Sequence, residues 1–148
     1  MAYLLIIIFL NSNSYSENNR YFEFDKGIIA LMYHRFDEHK YPSTNIQMDI
    51  FKEQINIIEN LKINFLHPKN FNEEISKPNE VKKILLTIDD GFQSFYDNAW
   101  PILKKKNIPF ILFISTVFVG KNGYMNWEQI KEIKKSGLGI IGNHSHTH

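Results

Sequence analysis

Ile84-Leu85-Leu86-Thr87-Ile88-Asp89-Asp90-Gly91 is the stretch that decides the fold. An apolar, β-branched run ends in two adjacent carboxylates and a glycine. The run reads as a buried strand, and Gly91 as the turn that ends it. Two acids at the tip of an apolar strand are costly there unless something pairs with them, because desolvating a charge is expensive. A matching feature lies at the far end of the chain. Leu138-Gly139-Ile140-Ile141-Gly142 reads as a second apolar strand, leading into Asn143-His144-Ser145-His146-Thr147-His148. Carboxylates on one strand tip and imidazoles on another are the ingredients of a metal site.

Working outward, Gly27 to Tyr33 is a continuous apolar run and reads as a central strand buried on both faces. It ends in His34-Arg35-Phe36-Asp37, and the polar stretch from there to Thr44 reads as a loop. Phe51, Ile55, Ile58 and Leu61 recur at helical spacing, the mark of an amphipathic helix packed on a sheet. Ile63 to Leu66 is a short strand candidate, broken by His67-Pro68. Asn70 to Ser76 has room for one or two helical turns, and Lys77-Pro78-Asn79 is a turn. After the acidic strand, Ser94 and Asp97 have the spacing of a capping box. The helix should run to about Lys106 with Ala99, Ile102 and Leu103 inward. Pro101 either kinks it or marks where the helix proper begins. Asn107 is a left-handed C-cap candidate. Pro109 to Thr116 is another apolar strand, and Gly120 to Gly123 a loop. Asn126 caps a helix whose apolar stripe is Trp127, Ile130 and Ile133, and Ser136-Gly137 stops it.

This alternation of strand and helix predicts an α/β fold, a parallel sheet or barrel with helices outside. Chemistry in such folds sits at the carboxyl ends of the strands. His34, Asp89-Asp90 and the histidine cluster all fall at such ends.

The chain of 148 residues suits one ordinary domain, and its 43% hydrophobic fraction can supply a packed core. A formal net charge of +1 gives no reason to expect a nucleic-acid partner. Lys104-Lys105-Lys106 falls where a helix should end, a place where cations offset the helix dipole. The absence of cysteine excludes disulfides, thiolate ligands and a lipid-modified N-terminal Cys. Tyr3 to Leu10 is unbroken and apolar but too short to span a bilayer, which needs about 20 residues. Polar, small residues follow, and Ser14-Tyr15-Ser16 has the form of a cleavage site. Residues 1–16 are therefore expected to be a signal peptide, although no Lys or Arg precedes the apolar run. The mature domain would be 17–148, and the protein would be exported: periplasmic, extracellular or cell-surface. The competing reading of the same run is a buried N-terminal strand.

Two histidines and one carboxylate would hold a divalent ion and leave a position open for water. Adjacent residues on an extended strand point to opposite sides, so Asp89 and Asp90 should divide the work, one a ligand and one a general base. The pattern leaves open which is which. On an extended strand His144, His146 and His148 share a face; in a turn, His144 and His148 converge. The same triad also serves iron oxygenases. The second acid beside the ligand argues against that use. His39 and His67 are expected to face water, and Tyr96, Trp100 and Trp127 to pack in core or loops.

Thr87-Ile88-Asp89-Asp90-Gly91 resembles the T-F-D-D-G motif of the polysaccharide deacetylases, the NodB-homology or family 4 carbohydrate esterases. His144-Ser145-His146-Thr147-His148 resembles their H-[ST]-x-x-H motif, at a suitable separation. Asp90 to Tyr96 and Leu31-Met32-Tyr33-His34 are similar to the subgroup that N-deacetylates exported poly-N-acetylglucosamine, in which a histidine of the last motif moves to the first strand. The resemblance implies Asp89 as general base and Asp90, His144 and His148 as ligands of a divalent metal, zinc foremost. It implies His34 as general acid and His146 as the non-ligand between two ligands. The substrate would be an N-acetylated polysaccharide, cleaved to acetate and a sugar amine. The implied fold is the N-terminal part of an irregular (β/α) barrel. The family's later motifs, including an arginine that orients the base, have no counterpart here, so a truncated chain is expected. A half-barrel that binds glycan without hydrolysis is the alternative.

Overall fold

Long-range packing of apolar runs builds one parallel sheet, seen in a computed structural model that describes residues 27–77 and 82–148. The expected signal peptide and part of the Lys77-Pro78-Asn79 turn lie outside those residues. The acidic strand, β5 (Lys82–Ile88), pairs along its whole length with β1 (Gly27–Tyr33), from Gly27↔Lys82 to Tyr33↔Ile88. On its other side β5 meets β6 (Phe110–Ile114) through Leu86, Thr87 and Ile88, and β6 meets β7 (Gly139–Asn143). The order is β1-β5-β6-β7, and the short β4 (Asn64–Phe65) pairs with Lys83 and Ile84 of β5. Every one of these pairings is parallel, as the alternation predicts.

One expectation is corrected here. β1 is not central: it stands at the end of the strand order, and Ile29 and Met32 are 40% and 58% exposed. An apolar run marks a strand but does not say how many neighbours cover it. It is β5, covered by strands on both sides, whose Ile84, Leu85, Leu86 and Ile88 are buried.

The stretch read as a loop after β1 contains a second small sheet. β2 (Arg35–Phe36) pairs with β3 (Asn45–Ile46). Its anchor is Phe36, fully buried, edge-on to Phe51 at 5.1 Å and beside Phe95 at 5.8 Å. Phe51 sits on α1 (Met48–Asn60), which buries Met48, Phe51, Ile55 and Ile58 against the sheet. Burying a large apolar side chain contributes roughly 1.5–3 kcal/mol, so this aromatic cluster outweighs local propensity in seating α1. The expected turns before β5 are α2 (Phe71–Ile75).

Ser94 does not cap. Its backbone is already helical (φ −61°, ψ −28°), and its Oγ accepts from the Phe36 N–H at 3.2 Å instead. A turn of π-helix over Phe95–Ala99 follows, and then α3 (Trp100–Lys106) with Pro101 in its first turn. The helix proper thus begins at the proline, where a missing N–H costs nothing. Asn107 closes it in the left-handed conformation (φ 54°). α4 (Trp127–Lys135) opens with a capping box between Asn126 and Gln129 and buries Ile130 and Ile133. Trp127 is not in that stripe; it is 49% exposed, since the first residue of a capped helix projects from its end. His67 does not simply face water either, because its Nε2 lies 3.0 Å from the Gly137 carbonyl oxygen.

Candidate metal centre and its acid pair

The end of β5 is fixed by backbone bonds. The Asp89 N–H donates to the Tyr33 carbonyl at 2.9 Å, continuing the β1–β5 ladder by one residue. The chain then turns: Asp90 is left-handed at φ 69°, and the Gly91 N–H reaches back to the Asp89 carbonyl at 2.9 Å. Gly91 is itself at φ 75°, and a Cβ there would stand 2.7 Å from Ile114 Cδ1. A residue without a side chain is required on both counts. The Asp89 carboxyl stays buried while Asp90 swings toward β7.

The histidines are placed by the ends of β6 and β7. The His144 N–H donates to the Ile114 carbonyl at 3.0 Å, and the hydroxyl of fully buried Ser115 donates to the His144 carbonyl at 2.8 Å. Ser145 is left-handed (φ 64°), and its Oγ accepts from the His148 N–H at 2.9 Å. The segment is therefore a turn, and His144 and His148 converge with their rings 4.8 Å apart and nearly perpendicular. His146 turns away to Thr116, its Nδ1 lying 2.8 Å from Thr116 Oγ1. Ser115 and Thr116 were not singled out in the sequence. Their place at the carboxyl end of a strand is the signal that would have found them.

Asp90 Oδ1 lies 3.3 Å from Nε2 of both His144 and His148, and the three ligand atoms all fall within 4.8 Å of one another. Yet Asp90 Oδ1 is buried and hydrogen-bonded to nothing. An orphaned carboxylate oxygen facing two imidazole nitrogens is expensive, and a cation among the three atoms would satisfy all of them. The N,N,O donor set suits zinc and its first-row neighbours. His34 Nε2 stands 3.9 Å from Asp89 Oδ2, beyond a direct hydrogen bond, and Asp89 Oδ1 also has no partner. Burial pushes the Asp89 carboxyl above the usual range; the His34 and His144 imidazoles pull it back, and the Asp90 carboxylate pushes it further up. All five residues picked from the sequence for a site thus meet at one end of the sheet, with His146 at its margin.

Together these features define a class: a parallel α/β chain with an Asp-His-His group able to hold a cation and a second, buried acid at its strand carboxyl ends. Residues 76–148 match the family model described as polysaccharide deacetylase. The chain is 27% identical to a poly-β-1,6-N-acetyl-D-glucosamine N-deacetylase of Staphylococcus epidermidis, over 97% of this chain and 59% of that protein. It is 28% identical to the Staphylococcus aureus protein of the same name, over 82% of this chain and 49% of that one. Among solved structures, IcaB from Ammonifex degensii superposes with a TM-score of 0.72 at 34% identity, covering 82% of this chain and 54% of that chain. A polysaccharide deacetylase from Bacillus cereus, at 23% identity and TM-score 0.70, shares the fold over 82% of this chain and 40% of its own. By family model, by sequence and by structure, the chain resembles the polysaccharide deacetylases. It spans about half the length of the relatives it matches.

Proposed function

We propose that the protein is a metal-dependent N-deacetylase of N-acetylglucosamine polymers, exported from the cell, with residues 17–148 forming part of its deacetylase domain. The observation that carries this is the convergence of Asp90, His144 and His148 beside buried Asp89, with His34 opposite. The names of the staphylococcal relatives supply the substrate class. Asp90, His144 and His148 would hold the cation, zinc by its donor set. When bound it supplies Lewis acidity, making water more acidic and an amide carbonyl more electrophilic.

The chain's own residues supply the proton transfers. Asp89, its carboxyl raised by burial toward the working range of a base, takes the proton of the attacking water. The amide nitrogen leaves poorly as an anion, so it must be protonated as the C–N bond breaks. His34, across the site from Asp89, donates that proton. Acetate and a free sugar amine are the products. His146, held by Thr116, takes no part.

Acetate release from a β-1,6-linked N-acetylglucosamine oligomer by the full natural chain, lost on chelation and restored by Zn2+, is the expected result. Asp89→Asn should abolish turnover while Zn2+ binding by calorimetry persists. Activity surviving in that variant removes Asp89 as the base. Saturable glycan binding without acetate release removes the catalytic reading altogether.

A further inference from the structure

His34 presents a puzzle. Among the described residues its imidazole makes no hydrogen bond, and its nearest charged neighbour is Asp89 Oδ2 at 3.9 Å. No hydrogen bond holds the ring, yet proton donation needs it placed to within a fraction of an ångström. The residue after it is held unusually well. The Arg35 guanidinium carbon sits over two rings, 3.4 Å from the Phe92 ring centre and 4.0 Å from the Tyr41 ring centre. Its Nη1 donates to Glu38 Oε2 at 2.7 Å, its side chain is only 14% exposed, and its charge also faces Tyr124.

These contacts come from both sides of the site. Tyr41 and Glu38 belong to the loop between β2 and β3. Phe92 belongs to the turn that carries Asp89 and Asp90, and it is braced in turn by Tyr124 at 4.9 Å and an isolated β-bridge to that residue. A planar guanidinium can lie flat on aromatic faces; an ammonium in its place would be a point charge without that fit. A mostly buried charge costs several kcal/mol to desolvate even when paired. The β2–β3 pairing and Phe36 already serve stability in this region.

We propose that Arg35 is a positioning residue: by clamping the loop after β1 to the turn after β5, it fixes His34 relative to Asp89 for protonation of the leaving amine. This rests on the deacetylase reading above. The proton path is unchanged by it: the His34 N–H proton passes to the amide nitrogen as the C–N bond breaks.

The test is leaving-group dependence. An aryl acetate ester expels a phenolate that leaves without protonation, whereas the sugar amide needs the acid. In the Zn2+-loaded protein, Arg35→Lys should lower kcat for an N-acetylglucosamine oligomer by about tenfold to a hundredfold, with KM nearly unchanged. Its kcat for the aryl ester should stay within about threefold, since no general acid acts there. His34→Ala should show the same split, and larger. Tyr41→Ala, at a position 40% exposed that can be truncated without opening the core, should show a weaker one. If Arg35→Lys loses both activities alike, or neither, while His34→Ala splits them, Arg35 is structural and the proposal is overturned. If His34→Ala shows no split, the acid is elsewhere and the proposed role of Arg35 goes with it. A wild-type protein that hydrolyses the ester but never the amide overturns the deacetylase reading itself, and this role as well.

Discussion

Asp90 holds a conformation that few side chains tolerate, at φ 69°, with a buried oxygen that has no hydrogen bond. Asn and Asp visit the left-handed region more readily than other L-residues, so Asp90→Asn keeps the turn and removes the charge. Zn2+ affinity should fall by more than about a hundredfold, since even an outer partner of a ligand can cost tenfold to a hundredfold. The apo protein should change little in stability, because the substitution removes a buried charge without a hydrogen bond but also its two ion pairs with His144 and His148. Calorimetric titration with Zn2+ and a thermal melt of the apo protein measure the two. An unchanged affinity would take Asp90 out of the cation site. The acids and histidines were legible in the sequence because each follows an apolar run. Which acid turns toward the histidines was implied only by the family resemblance and not by the pattern, since it depends on the left-handed turns at Asp90 and Ser145, and strand alternation says nothing about residues that have left the strand.

β7 delivers His144, and its own placement depends on Gly139. A Cβ at that residue would lie 2.2 Å from Ile133 Cγ2 on α4 and 3.1 Å from Phe110 Cζ on β6. Neither can give way freely, as Ile133 and Phe110 are both fully buried. Gly139→Ala should therefore destabilise the fold by about 1–3 kcal/mol, the usual cost of overpacking. It should also weaken Zn2+ binding by moving His144, and urea unfolding with and without Zn2+ separates the two effects. A variant as stable as wild type would mean that α4 shifts freely over the sheet. The sequence revealed β1, α1, β4, α2, β5, α3, β6, α4 and β7, the longer of them by apolar residues that repeat over several turns or a whole strand. β2 and β3, two residues each within a polar stretch, have no apolar run to read. The Ser94–Asp97 pattern misled because a serine already in helical conformation cannot reach over the first turn, and the Phe36 N–H competes for its oxygen. Nothing about Arg35 in isolation marks it, because Tyr41 and Phe92 reach it only through the fold.

A single carboxylate gathers three partners across the outer layer of the molecule. Glu132 on α4 accepts from the Tyr96 hydroxyl at 2.5 Å, from Lys104 Nζ at 3.0 Å and from Trp100 Nε1 at 3.3 Å. It thus joins α4 to the π-turn and α3, and so ties the helices that flank β6. The Tyr96 hydroxyl above all, then the Lys104 ammonium and the Trp100 N–H, hold its carboxyl well down, to about 2 from an ordinary 4.5. In the folded chain the group stays ionised down to about pH 2, while in the unfolded chain it takes up a proton near pH 4.5. The stabilisation is thus fully present above pH 4.5, shrinks as the pH falls from there, and is gone below about 2. The side chain is 43% exposed, so solvent and salt screen the contribution. Glu132→Gln should accordingly lower the unfolding midpoint at pH 6 and at low ionic strength. The gap from wild type should close between pH 4.5 and pH 2. A gap that stays constant down to pH 2 would assign the role of Glu132 to packing rather than charge, and one that widens on acidification would reverse the direction of its shift.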